Sequence, residues 1–215
     1  KGEAIGLAVI TELPIVIVNI QRGGPSTGLP TKTEQADLNQ AMYGRNGESP
    51  SVVLACQSPS DCFETAFMAC KIALEFMVPV ILLSDGYIAN GSEPWKLPDL
   101  NNIPDIKTKI VNNSNGEPFS PYNRDKDTLS RPWALPGTKN LEHRIGGLEK
   151  ADSTGHVNYD PDNHHHMVKL RQKKIDVISN FIPEVEPYGP SKGDLLVLGW
   201  GGTYGAIRSA VEKCN

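Results

Sequence analysis

The sequence has few cysteines, and their spacing argues against one class of metal site. Its 215 residues include four cysteines, Cys56, Cys62, Cys70 and Cys214. They form no C-x-x-C pair, and their spacing does not match that of ferredoxin-type cluster ligands. We therefore expect this chain alone to hold no iron–sulfur cluster. Any electrons that it handled would leave through another polypeptide.

The sequence also lacks the long apolar run and the basic stripe that typify two other classes of protein. No apolar run approaches the roughly 20 residues that span a bilayer, and no signal peptide is recognisable at the N-terminus. The net charge is −4, with basic residues scattered along the chain, so binding to nucleic acid has little support. With 39% hydrophobic and 21% charged residues, we expect a globular cytoplasmic protein without a membrane partner.

Motifs that would let the chain perform chemistry unaided are missing. The sequence has no G-x-S-x-G elbow, no Walker loop and no Ser-His-Asp arrangement, which disfavours hydrolases and NTPases. His164, His165 and His166 are adjacent and would point about 100° apart on a helix, so they predict a polar helix start and no metal site. Asp85, at a strand end, is open to a Mg²⁺ or a turn interpretation. If the chain is an enzyme, a cofactor must supply the chemistry.

Apolar runs separated by helical patterns predict an α/β fold, a doubly wound parallel sheet. A helix is expected over 4–12, and Thr33 is expected to start another that ends at Tyr43. A helix capped by Ser60 and Asp61 should bury one face and end at Pro79. Its expected apolar face comprises Phe63, Ala66, Phe67, Cys70, Leu74 and Met77. The expected strands are 15–20, 51–56 and 80–83.

The second half of the sequence predicts a different organisation. Residues 90–160 are rich in Pro, Gly, Asn and Asp, which is typical of a lid or a wrapping segment. A helix is expected over 163–181, then a Pro-rich linker over 182–191 and a new strand over 194–198. We predict three parts, a first domain at 1–89, the irregular segment with its helix and linker at 90–192, and the start of a second α/β domain at 193–215. Neither domain has a full set of strands, and Lys1 is not an initiator methionine, so we expect a segment of a longer polypeptide.

The best candidate site is the loop that follows the strand over 15–20, with the sequence QRGGPSTGLPTKTEQADL at 21–38. In open α/β sheets, ligands bind at the carboxyl ends of the strands. Arg22 offers a planar fork for a carboxylate or phosphate, Gly23 and Gly24 allow close approach of the backbone, and Thr31 adds a hydroxyl. Ser26 and Thr27 are further hydroxyl donors. The loop therefore predicts a site for a small anion.

Two other polar stretches have competing interpretations. The turn Gly199–Thr203 follows a predicted strand and could hold a phosphate at a helix start, although glycines at such turns more often serve tight packing. We interpret it as structural. Glu142, His143 and Arg144 in the irregular segment either border a substrate entrance or form a solvated loop cluster.

Four stretches of the sequence together resemble one enzyme family. They are QRGGPSTGLPTKTEQADL at 21–38, SDGY at 84–87, LEHRIGGLE at 141–149 and GWGGTYGAIRSAV at 199–211. The chain is similar over nearly its whole length to the α subunit of thiamine-diphosphate-dependent 2-oxoacid:ferredoxin oxidoreductases, with the 2-oxoglutarate branch nearest. The resemblance implies a thiamine-diphosphate-binding fold of the pyrimidine type, incomplete at its N-terminus, and then a domain resembling the transketolase C-terminal domain.

The resemblance also implies a reaction and its partners. The family oxidatively decarboxylates a 2-oxoacid, here 2-oxoglutarate, with coenzyme A, giving an acyl-CoA, carbon dioxide and reduced ferredoxin. Arg22 and Thr31 match positions that hold the substrate carboxylate, and Glu142, His143 and Arg144 border the entrance. The glutamate that activates the cofactor would precede Lys1. Thiamine diphosphate and Mg²⁺ would be shared with a β subunit, the iron–sulfur cluster would lie in a partner chain or domain, and this segment alone would be inactive in a hetero-oligomer.

Three alternatives stay open at this point. Two are related enzymes, one acting on pyruvate and one on branched-chain 2-oxoacids. A distal carboxylate needs a second cation, so a basic pocket lining beyond Arg22 would favour 2-oxoglutarate, whereas an apolar lining would favour branched substrates. The third is a non-catalytic module that binds an anion or a partner, with residues 90–160 wrapping that partner.

Overall fold

The computed structural model describes residues 2–113 and 116–214. Lys1 and Asn215, the outer bounds of the predicted domains, lie outside the described residues, as do two residues of the irregular segment. The helices are α1 (Gly2–Thr11), α2 (Leu38–Tyr43), α3 (Asp61–Phe76), α4 (Gly86–Asn90), α5 (Pro161–Ile178) and α6 (Tyr204–Cys214), and the strands are β1 (Ile15–Gln21), β2 (Val52–Ala55), β3 (Pro79–Asp85), β4 (Ile110–Val111) and β5 (Trp133–Ala134). Short 3₁₀ turns occupy Leu100–Asn102, Ser179–Phe181 and Gly201–Thr203.

The main sheet is parallel and has the strand order β1-β3-β2. Every residue of the central strand β3 is buried, as expected for a strand covered on both faces. Ile15 pairs with Pro79 at one edge of the sheet, and Gln21 pairs with Asp85 at the other. The three predicted strands are confirmed, and the carboxyl ends of β1 and β3 meet where the candidate loop begins.

Helices cover both faces of the sheet because successive side chains of β3 point to opposite sides. Val80 packs with α3 and with Ile178 at the end of α5. Ile81 and Leu83 pack on the other face with Ala41 of α2 and Ile5 of α1. The described part of the chain therefore has the predicted α/β fold with a doubly covered parallel sheet.

The predicted helix start at Thr33 is wrong. The helix begins at Leu38, and its N-cap residue Asp37 makes no capping hydrogen bond through its side chain. Residues 33–37 are irregular because their polar groups bond elsewhere. The Glu34 carboxylate accepts from the N–H of Gly24, and the backbone N–H of Asp37 donates to Gln21.

The predicted apolar face of α3 is correct only in part. Met77 is buried and Ala66 packs against the core, but Cys70 is exposed. The buried side chains within the helix are Ala69, Ile72, Ala73 and Phe76. The helix ends at Phe76, before Pro79, and Met77 follows in a left-handed conformation with φ of 54°.

The strand predicted over 194–198 does not form. A strand needs a neighbour to accept its backbone hydrogen bonds, and among the described residues none pairs with this run. Leu195, Leu196 and Leu198 are each at least 80% exposed. The boundaries of the predicted domains stay predictions.

Residues 122–157 of the irregular segment are fastened to the end of α1. The fastening is a buried group of polar side chains, here called the basal charge cluster, and its members are Glu12, Tyr122, Arg124, Arg131, Lys150 and Lys174. The carboxylate of Glu12 accepts from Arg124 and, at 2.6 Å, from Lys174 of α5. Backbone carbonyls of α1 and the following turn accept from Lys150 and Arg131. The segment thus wraps the edge of the sheet where the strands begin.

Burial shapes the titration of this cluster. Burial alone would raise the pKa of Glu12, but attraction to Lys174 and Arg124 outweighs it and lowers the pKa to about 2. Burial lowers the pKa of Lys150 to about 8 and raises that of Tyr122 to about 12. The cluster is a largely buried charge network at the base of the fold.

Among the helices in the described ranges, not one combines the length and the apolar character needed to cross a membrane.

Candidate functional site at the carboxyl end of the sheet

The loop that leaves β1 turns back on itself and brings Arg22 and Thr31 to the same end of the sheet. The N–H of Gly23 donates to the carbonyl of Lys32 at 2.9 Å, and the N–H of Leu29 donates to Gly23 at 3.1 Å. Arg22 directly precedes Gly23, and Thr31 directly precedes Lys32, the two residues that the first of these hydrogen bonds joins. Both side chains are exposed at the mouth of this turn.

Arg22 is an exposed cation on a loop that is otherwise internally bonded. Within residues 2–113 and 116–214, its guanidinium makes no salt bridge and no side-chain hydrogen bond. Arg124, in contrast, is buried and paired with two carboxylates. The Arg22 fork therefore remains available to an anion from outside the chain.

The glycines do less for an incoming ligand than the sequence suggests. The N–H of Gly23 is used by Lys32, and the N–H of Gly24 donates to the carboxylate of Glu34 at 3.1 Å. A Cβ on Gly23 would lie 2.9 Å from the Cβ of Leu29, so this glycine is required by packing inside the loop. Gly24 has room for a Cβ. Their role in ligand approach stays a prediction.

Buried amides hold the far end of the loop against the sheet. The side chain of Gln21, which is 2% exposed, donates to the carbonyl of Ser84 on β3 at 3.0 Å and accepts from the N–H of Asp37 at 3.1 Å. The carboxylate of Asp37 accepts in turn from the amide of Asn19 at 2.9 Å. The loop is thus fixed at both ends, and its position follows that of the sheet.

The Gly199–Thr203 turn packs against the same edge of the sheet. The Trp200 carbonyl accepts from Gln35 at 3.0 Å. Gly201 has φ of 62°, and a Cβ there would lie 2.6 Å from the Gln35 amide. A Cβ on Gly202 would collide with the carboxylate of Asp85. The glycines are explained by close packing, which agrees with the structural interpretation of this turn.

Asp85, His164 and His166 make local contacts within the chain. The Asp85 carboxylate accepts from the N–H groups of Tyr87, at 2.7 Å, and Ile88, at 3.1 Å, and so starts α4. His164 pairs with Glu149 at 2.7 Å, and His166 pairs with Asp152 at 2.9 Å. The described residues contain no group of three His, Cys, Asp or Glu side chains that could hold a metal ion.

Glu142, His143 and Arg144 lie in the irregular segment, and no hydrogen bond or ion pair among the described residues joins them to Arg22 or Thr31. Glu142 and Arg144 are exposed. The Nδ1 atom of His143 lies 2.7 Å from the carbonyl of Leu141, and its ring packs edge-on against Phe119 with 5.1 Å between centroids. Their place at a substrate entrance stays a prediction.

A comparison with protein families matches the part of the chain that contains this loop. The family model for the thiamine-diphosphate-binding region of pyruvate flavodoxin/ferredoxin oxidoreductases matches residues 1–160, which contain the sheet and the Arg22 loop. The chain belongs to this family. The resemblance seen in the sequence motifs is therefore confirmed.

Individual members of the oxidoreductase family match over almost the whole chain. The 2-oxoglutarate oxidoreductase subunit KorA of Mycobacterium tuberculosis is 58% identical over 100% of this chain and 32% of its own length. The 2-oxoacid:ferredoxin oxidoreductase subunit alpha of Saccharolobus solfataricus is 35% identical over 98% of this chain and 34% of its own. The chain thus spans about a third of the length of these relatives.

A solved structure of the same family has the same fold. It is a 2-oxoglutarate:ferredoxin oxidoreductase from Magnetococcus marinus with 2-oxoglutarate, coenzyme A and succinyl-CoA bound. It superposes with a TM-score of 0.88 at 35% identity, covering 99% of this chain and 36% of the solved chain. The similarity extends over the sheet, the wrapping segment and the Gly199–Thr203 turn alike.

The cofactor of this oxidoreductase family needs donors that the described residues do not provide. Diphosphate is bound through Mg²⁺, which prefers carboxylate and carbonyl oxygens in octahedral geometry. Asp85 is the buried carboxylate at the carboxyl edge, and its Oδ1 atom is engaged by two N–H groups of α4. The described residues do not form a diphosphate and Mg²⁺ site, and its place on a β subunit stays a prediction.

Sequence reasoning missed the residues that support the loop. Glu34, Gln35 and Asp37 lie within the loop sequence at 21–38, where the sequence pattern predicts the first turns of a helix. Each instead bonds to another part of the molecule, Glu34 to Gly24, Gln35 to Trp200 and Asp37 to Asn19 and Gln21. The available signal was the polar run Thr33-Glu34-Gln35, which together with Asp37 precedes Leu38 and is interrupted only by Ala36.

Proposed function

We propose that this chain is part of the α subunit of a 2-oxoglutarate:ferredoxin oxidoreductase, which converts 2-oxoglutarate and coenzyme A to succinyl-CoA and carbon dioxide while ferredoxin is reduced. The electrons leave the carbon that was the ketone of the substrate and pass to ferredoxin through a cluster outside this chain. A β subunit of the same enzyme supplies the remainder of the cofactor site, so the active form is a hetero-oligomer in the cytoplasm.

One observation carries the proposal. The Arg22 guanidinium at the carboxyl end of β1 is exposed, and it has no ion-pair partner in the described part of the chain. A 2-oxoacid presents a planar carboxylate, which a guanidinium can bind with two parallel hydrogen bonds. The hydroxyl of Thr31 at the same turn can donate a further hydrogen bond to that carboxylate. These two residues orient the substrate, and the cofactor supplies the chemistry.

The internal bonding of the loop prepares it for this role. Because Gly23 and Gly24 already donate to Lys32 and Glu34, binding does not have to order the backbone. A site that is ordered before binding loses less conformational entropy when the ligand arrives. The loop therefore presents Arg22 in a fixed place to the neighbouring subunit, where the cofactor is held.

The nature of the 2-oxoacid is the finer part of the proposal. Relatives named for 2-oxoglutarate and relatives named only for 2-oxoacids both match the chain. The distal carboxylate of 2-oxoglutarate needs a second cation, and Lys32 and Arg144 are exposed basic residues at the loop and at the predicted entrance. We favour 2-oxoglutarate, with pyruvate and branched-chain 2-oxoacids as the competitors.

The test uses the full-length protein purified with its β partner and supplied with thiamine diphosphate, Mg²⁺ and coenzyme A. Viologen reduction is measured with 2-oxoglutarate, pyruvate and 2-oxoisovalerate in turn. We expect 2-oxoglutarate to give the highest kcat/KM. The variant Arg22→Gln should lower that value about 10- to 100-fold, since a hydrogen bond to a charged group contributes about 1.5–3 kcal/mol.

The matched control is Arg208→Gln. Arg208 is an exposed arginine on α6 that is paired with Glu212, so the same change there should leave kcat/KM within about twofold. If the Arg22 variant keeps full efficiency, the assignment of the carboxylate site is wrong. If no 2-oxoacid reduces viologen although the complex assembles and holds thiamine diphosphate, the non-catalytic module becomes the better interpretation.

A further inference from the structure

The Arg22 loop is bonded to a part of the chain that lies far away in sequence. The side-chain amide of Gln35 donates to the carbonyl of Trp200 at 3.0 Å, and the two residues are 165 positions apart. Gln35 is half-buried, and its neighbour Glu34 accepts from the N–H of Gly24 inside the loop. A shift of residues 34 and 35 would therefore be felt at Gly24, two positions from Arg22.

The Gly199–Thr203 turn is shaped to receive Gln35. A Cβ at Gly201 would lie 2.6 Å from the Nε2 atom of Gln35, closer than a real Cβ atom comes to another group. Any side chain at Gly201 would thus displace the Gln35 amide. The φ of Gly201, 62°, aligns the Trp200 carbonyl with that amide in a conformation that other residues rarely adopt.

The Gly199–Thr203 turn is held to the core by Trp200, and Gln35 joins it to residues 33–37 by a side-chain hydrogen bond. Asp37 is tied to Asn19 and Gln21 of β1, and Gln21 is tied to Ser84 of β3, so the base of the loop follows the sheet. The Gln35 amide reaches beyond the sheet to the turn that precedes α6.

We propose that Gln35 is a positioning residue, which fixes the Arg22 loop to the Trp200 carbonyl and so makes binding of the 2-oxoacid carboxylate depend on the Gly199–Thr203 turn. This inference rests on the proposed function for its ligand. It assigns no contact between Gln35 and the substrate. The turn acts on the substrate through Gln35, residues 34 and 24, and finally Arg22.

The test is a double-mutant cycle on the full-length protein with its β partner, using Gln35→Ala, Gly201→Ala and the double variant. Loss of one hydrogen bond of about 1 kcal/mol should raise the KM for 2-oxoglutarate about fivefold in Gln35→Ala, with kcat within about twofold. Gly201→Ala should raise KM to a similar extent, because its methyl group displaces the same amide. The double variant should match either single variant rather than show the product of the two effects.

A second readout does not depend on the reaction. Amide hydrogen exchange over residues 22–33 should become about fivefold faster in Gln35→Ala and in Gly201→Ala, while exchange in β3 stays unchanged. The matched control is Gln172→Ala on α5. Gln172 is an exposed glutamine bonded to Asp176 at 2.8 Å, and its loss should change neither KM nor exchange in the loop.

The outcomes separate this inference from the proposed function. Faster exchange in the loop of both single variants supports the positioning role of Gln35. If the same enzyme acts on no 2-oxoacid, the positioning role stands and the proposed substrate class is wrong. Unchanged exchange and unchanged KM in Gln35→Ala overturn the inference even if the enzyme is fully active. Multiplicative effects on KM in the double variant also overturn it, because they mean that Gly201 acts by a separate route.

Discussion

At the edge of the sheet where β1 begins, Glu12 is 5% exposed and its carboxylate bonds to Arg124 and Lys174. At the edge where β1 ends, Arg22 is exposed and has no ion-pair partner in the part of the chain that the structure describes. The seven residues of β1 place these two sites about 20 Å apart. One end of β1 therefore lies near the buried, paired charge of Glu12, and the other end lies next to the exposed charge of Arg22.

The difference follows from the cost of burying a charge. A buried charge without a partner is strongly destabilising, and in the basal charge cluster the buried carboxylate of Glu12 is paired with both Arg124 and Lys174. A surface charge incurs little cost in water and can remain without a partner until a ligand arrives. In this molecule the number of charged residues is therefore a poor guide to function, and exposure combined with the lack of a partner is a better one.

The largest effect is expected from Glu12→Gln. The change leaves Lys174 buried without a carboxylate and leaves Arg124 with Asp152 alone, and breaking a buried pair in this way costs about 3–5 kcal/mol. We expect that loss in the local opening free energy of amides in α1 and β1, measured by hydrogen exchange on the full-length protein. The matched change at the other edge is Glu34→Gln, where the amide oxygen can still accept from Gly24. It should cost less than about 1 kcal/mol, and similar losses in the two variants would remove the contrast between the edges.

Acid should act on the same cluster with a slightly smaller effect. The pKa of Glu12 is about 2 in the folded protein, against an ordinary value of 4.5, so the folded state binds this proton less readily than the unfolded state. The stabilisation is fully present above pH 4.5 and is lost as the pH falls toward 2, by about 3 kcal/mol in total. In a pH series of α1 and β1 exchange, the difference between wild type and Glu12→Gln should shrink over that range. A difference that stays constant from pH 5 to pH 2.5 would contradict this origin.

Local sequence patterns predicted the parts of the fold that local physics determines. The apolar runs around Val16, Val53 and Leu82 form the three strands, and the polar loop after β1 lies at their carboxyl edge. The ends of elements depend on partners distant in sequence. Residues 33–37 are not helical because Gln21 and Gly24 take their hydrogen bonds, and the run at 194–198 forms no strand without a neighbour.

The candidate site was predictable to a similar degree. Arg22 and Thr31 are signalled by residue type and by position after a strand. Gln35 is not, because its partner Trp200 is 165 residues away and bonds through a backbone carbonyl, which no residue type reveals. The pairing of Glu12 with Lys174, 162 residues apart, has the same character. Such contacts exist only once the fold is known.

A smaller effect on function is expected from Thr31→Val, which removes the hydroxyl but keeps the shape of the side chain. The loss of one hydrogen bond to the substrate carboxylate should raise the KM for 2-oxoglutarate about fivefold, less than the change expected for Arg22→Gln. The control is Thr33→Val at the end of the same loop, an exposed residue that is assigned no contact with substrate. Equal effects of the two valine variants would mean that the loop as a whole, and not Thr31, responds to the change.

The smallest effect is expected on the stability of the Arg22→Gln variant, and it tests the comparison between the two ends of β1 most directly. Because Arg22 is exposed and without an ion-pair partner in the described ranges, its charge contributes little to folding, and the opening free energy of β1 amides should change by less than about 0.5 kcal/mol. The same residue type in the basal charge cluster gives the opposite expectation. Arg124→Gln removes one of the two cations bonded to the buried carboxylate of Glu12, and although Lys174 still pairs with Glu12, the change should destabilise β1 by about 1.5–3 kcal/mol. Hydrogen exchange on both variants measures the contrast within one strand. A loss of more than about 1 kcal/mol in Arg22→Gln would mean that this arginine supports the fold, and its exposure would then no longer argue for a ligand.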